Sequence, residues 1–285
     1  MLVFPNCKIN LGLHVVQKRL DGFHDLETVF YPLPFYDSLE LIPHIPENPQ
    51  AFTEISFNQS AIYFTSSGQP VPGNPEDNIV IRACRLLLQN RNTRSFQIHL
   101  HKRIPLGAGL GGGSANGAFM LLLLNEVFQL NLSKRQLASA AQELGSDCPF
   151  FIENKPAFAT GRGEILENIF VDLSGHSLLL IYPGIHIPTA QSFADIQPAT
   201  PPASLRKVIS RPVADWKNHL VNDFEKNIFN HYPTLATLKN SMYEQGAIYA
   251  SMTGSGSSMY GLFPATKPPS MVLPENNFSW FFPAI

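Results

Sequence analysis

A run of glycines in the middle of the chain, within "PLGAGLGGGSANG" from Pro105 to Gly117, constrains the fold more than any other feature. Five of the 19 glycines lie between Gly107 and Gly113, and the apolar run "AFMLLLLNEVF" follows directly. Glycine adopts positive φ at little cost, so successive backbone N–H groups can turn toward one ligand. The start of a helix adds the positive end of its dipole. The pattern favours a phosphate-binding loop over a plain structural turn, because five glycines lose more chain entropy on folding than alanines would.

Two known phosphate motifs fit this loop only in part. Gly107, Gly109 and Gly112 satisfy G-x-G-x-x-G, but the dinucleotide fold also needs a second strand with an acidic residue about 20 positions on. The sequence there, "NLSKRQLASAAQEL", has a helical pattern instead. The spacing of Gly107 and Gly112 also fits a P-loop, but Gly113 stands where that motif requires lysine. We therefore reject the dinucleotide interpretation and expect a phosphate loop whose lysine comes from elsewhere in the chain.

The composition favours a cytoplasmic enzyme. The chain has 285 residues, 44% of them hydrophobic, with 20 basic and 22 acidic side chains. This balance gives no electrostatic case for nucleic acid or an anionic membrane as partner. The three cysteines, an odd number, suggest free thiols. Lys8 interrupts the first apolar stretch, so we expect no signal peptide, and no apolar run approaches the roughly 20 residues that span a bilayer.

Hydrophobic patterns predict an α+β fold in two lobes, 1–160 and 161–285, with the second shortened at its C-terminal end. Alternating apolar residues predict strands in "KINLGLHVV", "SLELIP", "TEISF", "AIYFT" and "SFQIHLHK", and later in "SLLLIYPG", "AIYASM" and "SMYGLF". Asp77 or Asn78 is expected to cap a helix over "IVIRACRLLLQ". A buried helix is predicted from about Ser114 to Phe128, and a second helix from the capping box at Ser133 to Gly145.

The glycine segment resembles the second motif of the GHMP kinases, a family of small-molecule kinases. The segments "PNCKINLGLHVVQKRLDGFHDLETVF", "GSDCPFF" and "MTGSGSS" resemble the members that act on a cytidine-diphosphate-linked methylerythritol. "EDNIVIRACRLL" and "AFATGRGE" are similar to the same members, and the matches run in order from residue 5 to about 260. The resemblance implies a two-lobed GHMP fold and ATP-dependent phosphorylation, with Mg²⁺, of the C2 hydroxyl of 4-diphosphocytidyl-2-C-methyl-D-erythritol in the non-mevalonate isoprenoid pathway.

The resemblance also implies which residues are catalytic. It places the catalytic lysine at Lys8, which would supply the charge that the glycine loop lacks. Taken alone, Lys8 could be a solvent-facing strand residue, although alternation puts it on one face with Asn10 and Gly12. Asp147 matches the catalytic aspartate, although its local sequence favours a cap for a helical turn opened by Pro149. A carboxylate base suits a hydroxyl acceptor, and a nearby lysine would keep it ionised.

Residues for ATP and for the acceptor follow from the same resemblance. The ATP-binding positions it implies are Pro105, Gly107, Gly109, Leu110, Gly111, Gly112, Gly113, Ser114, Ala115, Asn78 and Lys102. Asn78 could be only an N-cap, and Lys102 only an exposed strand end. The implied substrate-binding positions are Asn10, Phe23, His24, Thr189, Phe193, Thr253, Gly254 and Ser255.

The positions expected to bind cytosine could also have purely structural roles. Phe23 stands where the family usually has tyrosine, so ring stacking is kept and any hydroxyl contact is lost. Asp21-Gly22 before it reads as a hairpin turn. His24 would pair with the cytosine edge, and Phe193 would be the second stacking ring. Phe193 and Thr189 could equally be core or loop residues, and "TGSG" could be a plain turn.

Further expectations concern a histidine pair, the oligomeric state, the C-terminal tail and the alternative functions. His99 and His101 share one strand face, but without a third ligand a solvated face is the better interpretation than a metal pair. The magnesium ligands are unknown, and we expect a monomer or a weak homodimer. The aromatic tail "NFSWFFPAI" is expected to form a packed strand, with an interface patch as the alternative. The alternative functions are another GHMP kinase, of homoserine or mevalonate type, and a non-catalytic nucleotide-binding protein of the same fold.

Overall fold

A computed structural model describes residues 1–194, 196–270 and 277–285 of the chain. The strands, in chain order, are β1 (Leu2–Val3), β2 (Asn6–Lys18), β3 (His24–Tyr36), β4 (Ser38–Ile42), β5 (Thr53–Phe57), β6 (Ser60–Gly68), β7 (Phe96–Lys102), β8 (Ala157–Thr160), β9 (Ile165–Asn168), β10 (His176–Tyr182), β11 (Tyr249–Met252), β12 (Met259–Pro264) and β13 (Phe278–Phe282). The α-helices are α1 (Ile79–Leu88), α2 (Gly112–Val127), α3 (Lys134–Leu144), α4 (Phe150–Glu153), α5 (Thr189–Ala194), α6 (Leu205–Ile209), α7 (Phe224–His231) and α8 (Pro233–Glu244).

The described residues form two compact units. The first contains Met1–Lys8, Pro32–Leu106 and Gly111–Lys155, and the second contains Ile9–Tyr31, Gly107–Leu110 and the described part of Pro156–Ile285. Each unit contains strands and helices, so the predicted α+β class is confirmed. Because neither unit is one continuous run of sequence, the predicted lobes at 1–160 and 161–285 remain a prediction.

A five-stranded sheet in the order β1-β4-β7-β6-β5 forms one layer of the first unit. Strands β6 and β7 pair in parallel, and the other neighbours pair antiparallel. On β7 the side chains of Phe96, Ile98 and Leu100 are buried, while His99 and His101 lie on the other face, where both contact the Ser67 hydroxyl. This alternation is what the sequence pattern predicts for a sheet with one buried face.

Helix α2 is the central helix of the first unit. It packs against α1, α3, α4 and β4. It begins at Gly112, two residues before the predicted start at Ser114, and ends at Val127, and its buried side chains lie on every side. The prediction of a buried central helix is therefore confirmed.

The predicted helix caps are present. The Asn78 side chain accepts a hydrogen bond from the Val80 N–H at 3.0 Å, so Asn78 rather than Asp77 is the N-cap of α1. Ser133 and Gln136 form both halves of a capping box at α3, and Gly145 follows the last turn of that helix. These local bonds satisfy N–H groups that have no acceptor within the helix.

The second unit contains the four-stranded sheet β11-β12-β10-β13 and the greater part of the sheet β2-β3-β8-β9, in which the start of β2 and the end of β3 belong to the first unit. Strands β11 and β12 pair antiparallel on either side of "TGSG", as predicted. The aromatic tail pairs with β10 through β13, which confirms the predicted C-terminal strand. The Pro-rich segment before it, where we predict a shortened lobe, includes residues 271–276, which lie outside the described part of the chain.

Candidate active site

The glycine loop connects the end of β7 to the start of α2. Gly107, Gly109 and Gly111 all have positive φ, at 64°, 77° and 68°, which is why alternate positions of the loop are glycine. Gly111 is the N-cap of α2 in the left-handed conformation, and its carbonyl accepts the Ala115 N–H at 2.9 Å. The N–H groups of Gly112, Gly113 and Ser114 have no acceptor inside the helix, as at any helix start. This end of the loop therefore carries a concentration of backbone donors and the positive helix dipole.

Lys8 and Asp147 lie together at this end of the loop, within the first unit. The Lys8 ammonium is 3.4 Å from a carboxylate oxygen of Asp147. A Cβ added to Gly111 would lie 3.1 Å from both Cε and Cγ of Lys8, so the lysine stem runs directly against the glycine. Lys8 is buried and Asp147 is 33% exposed at its side chain. A larger residue at this position would need the lysine stem to move by a few tenths of an ångström and would be strained by the positive φ of 68°.

Asp147 does not cap a helix. The N-cap position of α4 is Pro149, and this end of the helix has no side-chain cap hydrogen bond. The capping alternative for Asp147 is therefore wrong, and its carboxylate lies beside Lys8 instead. The neighbouring Cys148 thiol is buried, and desolvation raises its pKa to about 12 despite a hydrogen bond with Ser114. At neutral pH this thiol is uncharged.

Lys102 is not the exposed strand end that the sequence allows as an alternative. Its side chain is 1% exposed, and its ammonium is paired with the Asp37 carboxylate and donates to Asn116 Oδ1 at 3.0 Å. Burial lowers the pKa of Lys102, and the Asp37 carboxylate opposes that shift. A Cβ added to Gly112 would lie 3.4 Å from the Lys102 Nζ, so this buried ion pair lies directly beneath the start of α2.

The other half of the glycine loop, Gly107–Leu110, belongs to the second unit and contacts the "TGSG" turn there. Gly109 lies against the Thr253 carbonyl so closely that any Cβ would overlap it. The Thr253 hydroxyl donates to the Gly109 carbonyl at 3.3 Å and accepts the Asn10 N–H at 2.9 Å. The Asn10 side chain in turn donates to the Thr28 hydroxyl at 2.9 Å. Asn10, Thr253 and this part of the loop are thus one bonded cluster.

The residues expected for cytosine also lie in the second unit. Phe23 is 54% exposed on the hairpin between β2 and β3, where the Asp21 carboxylate accepts its N–H at 3.1 Å. The Arg162 guanidinium lies 4.9 Å from the centroid of the Phe23 ring. His24, not Phe23, stacks on Phe193, with ring centroids 4.9 Å apart and planes 20° apart.

Phe193 also contacts the core of the second unit. Its ring meets the ring of Phe224 edge to face at 4.8 Å, so part of its surface is structural. Thr189 begins α5, and its hydroxyl lies 3.4 Å from that of Ser255. The Ser192 hydroxyl donates to the Ser255 carbonyl at 3.1 Å. These contacts hold α5 against the "TGSG" turn.

Sequence reasoning missed three residues of this arrangement: Asp37, Asn116 and Arg162. Asp37 is fully buried at the junction of β3 and β4. A lone acidic residue between two apolar strands is a weak signal of a buried partner, and it could have drawn attention to Lys102. Neither Asn116 nor Arg162 carries a comparable signal, since both stand in motifs whose glycines dominate the pattern.

Within residues 1–194, 196–270 and 277–285, no group of three or more His, Cys, Asp or Glu side chains could hold a metal ion. Among the helices of that same part of the chain, none is both long and apolar enough to span a bilayer.

The fold and the glycine turns define the class of protein. The family model "GHMP kinases N terminal domain" matches residues 78–155, and "GHMP kinases C terminal" matches residues 210–271. The crystal structure of the Methanococcus jannaschii mevalonate kinase covers 94% of this chain and 92% of its own with a TM-score of 0.66, at 13% identity, a likeness of fold alone. The chain belongs to the GHMP kinase family and is an ATP-dependent small-molecule kinase.

Relatives of higher sequence identity indicate which kind of GHMP kinase this chain is most similar to. A 4-diphosphocytidyl-2-C-methyl-D-erythritol kinase of Bacteroides thetaiotaomicron is 48% identical over 98% of this chain and 96% of its own length. One of the same name from Cytophaga hutchinsonii is 44% identical over 94% of each chain. A crystal structure of a 4-(cytidine 5'-diphospho)-2C-methyl-D-erythritol kinase has a TM-score of 0.74 and 29% identity, over 92% of this chain and 90% of its own. The resemblance inferred from the motifs is confirmed.

Proposed function

We propose that this kinase transfers the γ-phosphoryl group of ATP to the C2 hydroxyl of 4-diphosphocytidyl-2-C-methyl-D-erythritol, a step of the non-mevalonate isoprenoid pathway. Relatives named for that substrate, at up to 48% identity over nearly the whole chain, support the choice of acceptor. The single structural observation that carries the chemistry is the contact of Lys8 with both Asp147 and Gly111.

Asp147 is proposed as the base that accepts the hydroxyl proton. A tertiary alcohol is a very weak acid, so its proton must leave as the phosphoryl group arrives, and a carboxylate within hydrogen-bond reach can take it. The Lys8 ammonium at 3.4 Å favours the ionised carboxylate and offers positive charge to the phosphoryl group in transit. The partial exposure of Asp147 leaves its carboxylate accessible to an acceptor.

The phosphates of ATP are proposed to bind the glycine loop. The backbone donors at the start of α2 supply hydrogen bonds, and Lys8 supplies the cation that a P-loop carries within its own motif. The proposed contacts are Pro105, Gly107, Gly109, Leu110, Gly111, Gly112, Gly113, Ser114 and Ala115, with Asn78 at the adenosine end. Lys102 is proposed to contact ATP only through its backbone atoms. Its ammonium is buried and already bonded to Asp37 and Asn116.

The cytidine end of the acceptor is proposed to bind Phe23, His24 and Phe193, with Thr189, Thr253, Gly254, Ser255 and Asn10 as further contacts. Aromatic rings bind a pyrimidine by stacking, and the imidazole supplies a directional hydrogen bond to its edge. The His24 and Phe193 rings are stacked with their centroids 4.9 Å apart. A base therefore cannot lie between these two rings until they separate.

Mg²⁺ is proposed as the metal that accompanies ATP. Phosphoryl transfer needs charge neutralisation on the phosphate oxygens, which Mg²⁺ supplies when bound. In the described part of the chain no cluster of three acidic, His or Cys ligands occurs, so the nucleotide phosphates would provide most of its ligands. We further propose a cytoplasmic protein, monomeric or weakly dimeric, that binds no nucleic acid.

The competing functions make different predictions about the acceptor. A kinase of small acids such as homoserine needs cationic clamps for carboxylates, whereas Phe23, His24 and Phe193 offer aromatic surface. A non-catalytic nucleotide-binding protein has no reason to keep the Lys8–Asp147 pair.

A phosphate-acceptor assay with magnesium-ATP distinguishes these possibilities. The purified protein is supplied with the cytidyl substrate, homoserine or mevalonate, and ADP formation is followed. We expect turnover with the cytidyl substrate alone. Faster turnover with homoserine or mevalonate would replace the proposed acceptor, and ATP binding without any turnover would support the non-catalytic alternative.

A further inference from the structure

The Asp37 carboxylate is a buried junction between the two segments that flank the glycine loop. Its Oδ1 accepts the backbone N–H groups of Arg103 at 2.7 Å and Ile104 at 2.9 Å, the residues that lead into the loop. Its Oδ2 accepts the side-chain amide of Asn116 at 2.9 Å and pairs with the Lys102 ammonium. Asn116 lies in the opening turns of α2, directly after the loop. One carboxylate therefore joins the entrance of the loop to its exit.

The Lys102 ammonium bonds both side chains of this junction, Asp37 and Asn116. It donates to Asn116 Oδ1 at 3.0 Å, so the amide of Asn116 is held at both its nitrogen and its oxygen. Asp37, Lys102 and Asn116 are each at most 2% exposed. Hydrogen bonds in such surroundings are strengthened by the low local dielectric, and a missing partner is correspondingly costly.

The loop itself has little means of fixing its own shape. Three of its residues are glycines at positive φ, and glycine has the widest conformational freedom of any residue. The spacing between the end of β7 and the start of α2 must therefore be set from outside the loop. The contact of Gly112 with Ile104 shows how tight that spacing is, because a Cβ on Gly112 would lie 2.7 Å from the Ile104 Cγ2.

We propose that Asp37 is a positioning residue for ATP binding, which sets the geometry of the glycine loop through Arg103, Ile104 and Asn116. This inference rests on the proposed binding of ATP phosphates by the loop. Asp37 is fully buried, so it would act by fixing the two ends of the loop and not by contact with the nucleotide. A merely structural role would lower the thermal stability of a variant and leave its ATP affinity unchanged at temperatures where the variant is fully folded.

The decisive variant is Asn116→Ala, which cuts the link to α2 while retaining the Asp37–Lys102 ion pair. Its matched control is Asn125→Ala on the same helix. Asn125 is also held at both ends of its amide, accepting the Leu132 N–H at 2.8 Å and donating to the Leu132 carbonyl at 3.2 Å, but it lies far along α2 from the loop. Both variants lose an asparagine with two bonded amide atoms.

The experiment measures the dissociation constant of magnesium-ATP by calorimetry, well below the melting temperature of each variant. We expect about a tenfold weaker ATP affinity for Asn116→Ala and a change within about twofold for Asn125→Ala, a difference of the size that one lost positioning contact produces. Asp37→Asn, which places an amide nitrogen against the Lys102 ammonium, is expected to weaken ATP binding further.

Unchanged ATP affinity in Asn116→Ala, or equal losses in Asn116→Ala and Asn125→Ala, would overturn the inference. If Asp37→Asn does not fold, the comparison of the two asparagine variants still decides it. Failure of the proposed function looks different: the wild-type protein itself would not bind magnesium-ATP, whatever the variants do.

Discussion

The ammonium nitrogen of Lys8 lies 3.4 Å from a carboxylate oxygen of Asp147, and the stem of the same lysine lies against Gly111 at the start of α2. A residue of the first long strand thus places a positive charge beside the glycine motif. The pair and this end of the loop belong to one compact unit. Their spacing is therefore a property of that unit by itself.

Asp147→Asn is expected to lower kcat by about 10²- to 10⁴-fold, because an amide cannot accept the hydroxyl proton. ATP affinity should be largely retained, since the backbone donors of the loop are untouched. Steady-state kinetics and calorimetry measure the two quantities. Glu153→Gln is the control, a nearby exposed carboxylate whose partner is Lys134 at 3.0 Å. Residual activity near that of the wild type in Asp147→Asn would remove Asp147 from the role of base.

Gly111→Ala and Gly113→Ala should affect stability in opposite directions. An alanine at position 111 must adopt φ near 68° and places its Cβ 3.1 Å from the Lys8 side chain, so we expect a loss of at least about 1–2 kcal/mol in unfolding free energy. Gly113 has no neighbour within 4 Å of an added Cβ and lies inside α2, so alanine there should add up to about 1 kcal/mol. Urea denaturation measures both, and a loss in Gly113→Ala as large as that in Gly111→Ala would contradict this expectation.

Cytidine binding should depend on the protonation of His24. Burial lowers the pKa of His24, and the Lys18 charge adds to the shift, so the neutral ring persists below the ordinary value of about 6.5. The contribution of this histidine to folding stability is present above about pH 6.5 and is lost as the pH falls through the titration range. We expect the affinity for cytidine diphosphate to be constant between about pH 7 and 8 and to weaken at acid pH.

His24→Gln provides the control for this pH dependence. Glutamine can still hydrogen-bond but does not titrate, so calorimetry should give a weaker affinity with a flatter pH profile. An affinity that rises as the pH falls below about 6, or an identical profile in the variant, would contradict the proposed role of His24.

The three cysteines should resist alkylation in the native protein. Cys7, Cys84 and Cys148 are all buried and free of disulfides. Burial raises the pKa of both Cys7 and Cys148 to about 12, and it raises that of Cys84 as well. At about pH 8 the thiolate fraction is on the order of 10⁻⁴. Mass spectrometry after iodoacetamide treatment should show no label on the folded protein and three labels in denaturant; rapid native labelling at Cys148 would mean that the turn near Asp147 opens.

Local patterns in the sequence predicted much of this structure. The cap at Asn78, the capping box at Ser133 and the strand at β7 depend on neighbouring residues and could be read directly. The sequence predicts the start of α2 at Ser114 because glycine has low helix propensity, whereas α2 begins at Gly112, where packing against the rest of the unit overrides that propensity. Elements were therefore more predictable than their ends.

Long-range pairs were the harder part. Nothing local distinguishes Lys102 from a solvated strand end, since its burial depends on Asp37 from another strand. Lys8 and Asp147 could be paired only through the resemblance to a kinase family. The resemblance predicts that Phe193 faces Phe23 across cytosine, but in the structure Phe193 stacks on His24, a contact that sequence spacing does not predict.

The most direct test of the proposed function is the identity of the phosphorylated product, determined by ³¹P NMR after incubation of the wild-type protein with magnesium-ATP and the cytidyl substrate. We predict one new phosphomonoester on the C2 oxygen, formed in equal amount to ADP, and no such signal with Asp147→Asn over the same time. Phosphate on a different hydroxyl, or ADP formed with free phosphate and no new ester, would contradict the proposal.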